Sequence, residues 1–256
     1  MKFHMTQIDF EKIKEKKLHK ALSLSGPQTV GVVRNRWGHC LFLVLITVLL
    51  KMYFGQWHNP QGVIRPGNET LTLIATLGDF AIDLFMSIYV LILAPLTVLD
   101  LEARRPFRSV WAWSHQTLWP LTIEGLRVLT FTLLWSLALI IPGLYKMVRY
   151  SFVPFVVMFD PQYENEDALE RSHKLTVGVF WVILLVMIAS QILSLLLLLP
   201  NELFTGMAQH VVRFFTTLLT LVFSIYTLLV SFNIYRIQAA QTTVAVEEGG
   251  SNGTHV

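Results

Sequence analysis

A chain of 256 residues that is 54% hydrophobic and only 14% charged falls well below the roughly one-quarter charged content of soluble domains, which excludes an ordinary water-soluble fold. No polar segment approaches the ~100 residues of a separate soluble domain, and the one cysteine, Cys40, excludes an internal disulfide and every multi-cysteine metal motif. The net charge of +3 is modest; its distribution carries more information than its sum.

Residues 1–37 form a basic leader with eight Lys or Arg against three acids, which the positive-inside rule keeps in the cytoplasm. They read either as a solvated charged segment or as an amphipathic helix on anionic headgroups, with Ile8, Ile13, Leu18 and Leu22 loosely on one face. The apolar run that follows lies too far in, and is too long, for a cleavable signal. Gly38 to Trp57 reads as the first crossing, bracketed by Trp37 and Trp57. Pro60, Gly62, Pro66 and Gly67 then mark an exterior loop, His58 to Thr70. Leu71 to Leu99 is the second crossing, and Asp100 to Trp119, with Arg104, Arg105, Arg108 and three tryptophans, suits an interfacial helix.

The third crossing is expected from Leu121 to Ile141, with Glu124 and Arg127 spaced to pair, and Pro142-Gly143 is expected to break it. Leu144 to Phe159 is short for a span of ~20 residues, so it is either a kinked fourth crossing or a re-entrant helix. The polar interval Asp160 to Lys174 leads to a fifth crossing. Between Thr176 and Leu199 that run holds no charged residue, continuous apolarity that only a bilayer repays. A turn near Pro200 to His210 leads to the sixth crossing, Val211 to Tyr235, and the tail 236–256 is expected to be disordered. Fourteen of the twenty basic residues fall in the segments assigned to the inside. The expected architecture is therefore an all-α, multi-pass protein with six transmembrane helices in 38–235, interfacial amphipathic helices, and both termini cytoplasmic.

The order of interfacial helix followed by crossing helix occurs three times, beginning near Gln28, Ser109 and Ala168. In the third copy, Ile141-Pro142-Gly143 with Arg149 and Tyr150, then Ala168-Leu169, Ser172, Leu175, Gly178, Phe180 and Trp181, resemble the pattern of a broad prokaryotic six-helix family. Its members are described as YciC-like, or as the membrane portion attached to some glycerophosphodiester phosphodiesterases. The resemblance covers Ile141 to Trp181 and implies a helical inner-membrane protein whose biochemical role is unassigned. In the fused relatives catalysis belongs to a separate soluble barrel, which these residues do not contain. The residue chemistry agrees with packing: Gly178 is expected to admit a neighbouring backbone, Trp181 to sit in the interface, and Ser172 to satisfy backbone groups.

Intramembrane charges are the candidate site. Counted from the outer boundary at 1.5 Å per residue, Asp79 lies about 12 Å deep, and Lys51 and Arg149 each about 9 Å deep. Together with Asp83 they form one expected layer of two acids and two bases. It reads as a structural ion-pair cluster or as a proton- or cation-coupled path through a carboxylate. Arg104, Arg105 and Arg108 are candidate lipid-headgroup contacts. The eight histidines are dispersed without HExxH spacing, and no GxSxG or phosphate-cradling glycine loop is present. The expectation is a non-enzymatic membrane or lipid-associated factor without cofactor, metal or nucleic-acid partner; the alternative is a small ion-coupled transporter.

Overall fold

The computed structural model describes residues 7–55, 69–160, 163, 166–203 and 207–251. They form the helices α1 (Gln7–Asn35), α2 (Trp37–Gly55), α3 (Glu69–Glu102), α4 (Val110–Ala138), α5 (Ile140–Arg149), α6 (Val153–Phe159), α7 (Ala168–Thr176), α8 (Phe180–Leu203) and α9 (Met207–Ser251). Apart from a single 3₁₀ residue, Tyr163, no other regular structure occurs among the described residues. Among the described residues three stretches are long and apolar enough to cross a membrane: Thr76–Glu102, Phe180–Leu197 and Val211–Gln241. A bent pair, Lys16–Asn35 and Trp37–Lys51, adds a fourth if it counts as one span. The stretches expected as the third and fourth crossings are not among them.

The helices divide into two compact units. One comprises Gln28–Arg108 and Ser190–Tyr226. Its centre is α2 packed on α3, where Leu43, Val44, Ile92, Leu93 and Leu96 are fully buried. The basic leader is helical from Gln7, and α1 turns into α2 through 80° at Arg36. The end of α3 is closed by a paired reversal in which Arg104 N donates to Leu101 O and Arg105 N to Asp100 O. Arg104 takes the left-handed conformation this motif requires, with φ of 51°.

The other unit comprises the chain up to Pro27, Ser109–Ala189 and the chain from Thr227. Ser109 caps α4 by accepting a hydrogen bond from Ala112 N. From there the helix runs unbroken through Pro120 to Ala138, so the tryptophans of the interval expected as a separate interfacial helix, Trp111, Trp113 and Trp119, lie in the first half of α4, while the arginines before them lie outside it. In two of the three expected copies a helix does break before the apolar run, at Arg36 and at Val177–Val179; in the middle copy it does not.

The chain reverses at Leu139, which is extended (φ −164°, ψ 142°), three residues earlier than the Pro-Gly pair suggests. Pro142 lies in the first turn of α5, where a missing N–H leaves no bond unmade. Gly143 is a contact residue: a β-carbon there would stand 2.9 Å from Ser136 Cα and overlap the Ser136 hydroxyl. Its lack of a side chain lets α5 lie against α4. After α5 the chain turns at Tyr150–Phe152 and continues as the seven-residue α6, which also packs on α4. The stretch expected as either a kinked fourth crossing or a re-entrant helix is thus two short helices. Phe152, Phe155, Phe159, Phe232 and Tyr235 close the core of this unit with ring centroids 5.4–6.4 Å apart.

The tail expected to be disordered is helical to Ser251, within α9. Trp57 and the expected exterior loop, except its last two residues, lie outside the described residues, as do residues 252–256.

Candidate functional site

Three of the four charges expected in one layer, Lys51, Asp79 and Asp83, lie on α2 and α3. Lys51 and Asp83 pair at 2.7 Å between α2 and α3, joining two mainly apolar runs. Asp79, one turn earlier, keeps a buried carboxylate oxygen without a hydrogen bond among the described residues. Arg149 belongs to the other unit. There its Nε donates to the Tyr145 hydroxyl at 3.0 Å and its Nη1 to the Thr176 hydroxyl at 3.4 Å.

Among the expected headgroup contacts, Arg108 is committed elsewhere. Its Nε and backbone N donate to the two carboxylate oxygens of Asp100, at 2.8 and 2.9 Å, and Asp100 is fully buried. Arg104 and Arg105 remain exposed. The same corner holds Arg36, buried at the bend between α1 and α2. It donates to Thr97 Oγ1 at 3.3 Å and to Arg108 O at 2.8 Å, with its guanidinium 4.7 Å from the Phe107 ring centre. The bend is therefore held by a cation whose contacts lie 61 and more residues away.

The family-like segment proves to be a structural junction. Ser172, fully buried on α7, donates to Arg149 O at 2.8 Å and accepts from Phe152 N at 3.2 Å, bridging the break between α5 and α6. Leu175 is buried beside it. Gly178 takes φ of 82° in the turn from α7 to α8, a conformation that favours glycine. Trp181 faces outward, 67% exposed.

Two networks that composition did not point to hold α7 in place. Arg171 donates to Asp160 at 3.1 Å, with side chains only 5% and 3% exposed, and Tyr235 from α9 hydrogen-bonds the same carboxylate. Arg127 binds both Glu124 and Asp167 at 2.8 Å, which fulfils the expected Glu124–Arg127 pair and extends it to the start of α7. On the outer face of α7, Glu166 and then Glu170 hold the Lys174 ammonium above its usual range. Asp160 and Asp100 each close an apolar run as a lone acid, and that position was the available signal for both.

Where α5, α7 and the start of α8 meet, basic and aromatic groups gather. Lys146 Nζ lies 5.5 Å from the Trp135 ring centre and 5.6 Å from that of Tyr150. The Arg149 guanidinium lies 5.0 Å from the Tyr145 ring centre and 5.6 Å from that of Phe180. Burial holds the neighbouring His173 imidazole below its ordinary range, and the charges of Arg149 and Lys146 add to this. Among the described residues no group of three or more His, Cys, Asp or Glu could hold a metal ion. Set against protein-family models, curated proteins and solved structures, the chain matches none.

Proposed function

We propose that the chain is a multi-pass protein of the cytoplasmic membrane, with both termini on the cytoplasmic face, acting as a non-enzymatic, lipid-associated factor of the YciC-like kind. The observation that carries this reading is α8: only 6% of Phe180–Leu197 is buried against the rest of the chain. An apolar helix so bare is stable where lipid is its solvent. The buried acids Asp160 and Asp100 are each bound by an arginine, Arg171 and Arg108, which supports structural rather than catalytic use.

Four crossings, by α2, α3, α8 and α9, fit this reading better than six. Arg149 touches Phe180, the first residue of α8, and the ten residues of α5 rise at most about 15 Å from there to the reversal at Leu139. That is half of a hydrocarbon core of ~30 Å. The distal half of α4 and all of α5 thus form a re-entrant hairpin with an apolar tip, Leu137 being 84% and Ile141 80% exposed. A hairpin returns the chain to the side it came from, so both ends stay together, as the basic flanks require.

Alkaline carbonate extraction followed by lipid analysis of the purified chain tests the proposal. The protein is expected to stay in the membrane fraction and to retain phospholipid through purification. Release by carbonate would remove the reading.

A second reading, ion coupling, rests on the unbonded oxygen of Asp79 next to the Lys51–Asp83 pair. Structural use predicts that Asp79→Leu is neutral or stabilising by about 1 kcal/mol, because a buried polar atom without a partner is removed. Asp83→Leu, which leaves Lys51 unpaired, is expected to lower the melting temperature. A normally folded Asp79→Leu protein that has lost a proton-dependent flux would establish the ion-coupled alternative.

A further inference from the structure

We propose that Lys146, Arg149 and His173 bind the phosphate of an anionic phospholipid where α5, α7 and the first turn of α8 meet. The proposal rests on the membrane reading above and identifies a ligand class for this junction.

The first ground is uncompensated charge. The other cations around this junction are paired with acids: Arg127 with Glu124 and Asp167, Arg171 with Asp160, Lys174 with Glu166 and Glu170. Among the described residues neither Lys146 nor Arg149 has a carboxylate oxygen within 4.0 Å. Both stand in the last turn of α5, where the helix dipole favours a cation. That dipole amounts to about half a charge, which does not neutralise two.

The second ground is orientation. Two aromatic rings near each cation help fix its position without cancelling its charge. Trp135 and Tyr150 hold the Lys146 ammonium, while Tyr145 and Phe180 hold the Arg149 guanidinium. Arg149 commits Nε to Tyr145 and Nη1 to Thr176. Its Nη2 carries no hydrogen bond among the described residues and is the donor left for an incoming oxygen. A planar guanidinium and a compact ammonium together are the usual protein complement of phosphate. His173, about one turn before the Thr176 that Arg149 binds, adds an imidazole N–H to the same corner.

The third ground is the border. Leu144, Met147, Val177 and Trp181 surround the junction with exposed apolar surface, and the junction lies where α8 enters its apolar run. A free phosphate ion gains nothing from that surface, whereas the acyl chains of a phospholipid cover it. Headgroup and chains are thus matched by adjacent parts of one surface.

The test uses the full chain, purified in a mild neutral detergent, with three probes: phosphatidylglycerol, phosphatidylcholine and inorganic phosphate. Binding is read by native mass spectrometry and by the shift in melting temperature. Phosphatidylglycerol is expected to bind at one copy per chain, more tightly than phosphatidylcholine, and to persist in millimolar inorganic phosphate. The Lys146→Gln/Arg149→Gln protein is expected to bind it about thirtyfold more weakly, each basic residue at an anionic lipid surface contributing roughly a fivefold factor. Because Arg149 also bonds Tyr145 and Thr176, Lys146→Gln alone and Lys146→Arg provide a second comparison: the first is expected to lose about fivefold and the second to restore it. Unchanged phosphatidylglycerol affinity in both Lys146→Gln and the folded double variant would overturn the proposal while leaving the membrane reading intact. Equal binding of phosphatidylcholine, or displacement by inorganic phosphate, would overturn it too. Failure of the wild-type chain to stay in carbonate-washed membranes would instead remove the reading beneath it.

Discussion

Arg171→Ala is expected to be the most damaging single substitution, lowering stability by about 3–5 kcal/mol. That is a large fraction of the 5–15 kcal/mol that holds a typical protein folded. Asp160 is left in a site where its side chain is 3% exposed, with the Tyr235 hydroxyl as a remaining hydrogen-bond partner and no cation in Arg171's place. The loss follows from stranding a buried charge, so removing both charges should be much milder. The double replacement Asp160→Leu/Arg171→Met is expected to recover most of the melting temperature, since well-packed apolar pairs often equal a buried ion pair. Thermal unfolding in detergent, followed by size-exclusion chromatography, checks both proteins. A single variant as stable as the parent would mean that the pair does not hold α6 and α7 together.

The second large effect belongs to the hairpin. Gly143→Val forces a branched side chain into a space that ends 2.9 Å away at Ser136 Cα. Overpacking of this sort costs about 1–3 kcal/mol, and here the obstacle is backbone, which has little freedom to give way. Gly38 and Gly125 have nothing within 4 Å of the position a β-carbon would take. Alanine at either is expected to be neutral or to gain up to about 1 kcal/mol of helix stability. Melting temperatures of the three proteins give the comparison directly: only Gly143→Val should fall. Equal behaviour at all three positions would mean that α5 is not seated on α4 through this contact.

Much of the helical framework was legible because it follows from local chemistry. The runs at Trp37–Gly55, Glu69–Glu102 and Phe180–Leu203 are set by length and apolarity, and their ends fall within a few residues of the charges and glycines that bound them. Glu124–Arg127 was legible because an i,i+3 spacing puts both on one helix face. Lys51–Asp83 was legible as two opposite charges that hydrocarbon would drive together.

The reversal at Leu139 was not legible. Leucine carries no turn preference, and the nearby Pro142-Gly143 offers a stronger break signal that the fold does not use as a break. The division between α5 and α6 is fixed by Ser172, 20 residues beyond Phe152, and the bend at Arg36 by Thr97 and Arg108. These are tertiary contacts, which hydrophobic periodicity does not report. The partners of Arg149 within its own unit were hidden for the same reason. Its depth was counted along a helix assumed to cross, whereas α5 returns to the foot of α8, so the guanidinium meets Thr176 and Phe180.

In the proposed topology α4 and α5 enter the bilayer and return without crossing it. This is tested most directly by placing a single cysteine at Leu139 in a Cys40→Ala background and applying a membrane-impermeant maleimide to sealed vesicles of each orientation. The re-entrant hairpin predicts no labelling from either face and full labelling once detergent opens the membrane. Labelling of Leu139→Cys from the exterior face alone would show that the chain crosses there, and would contradict the account.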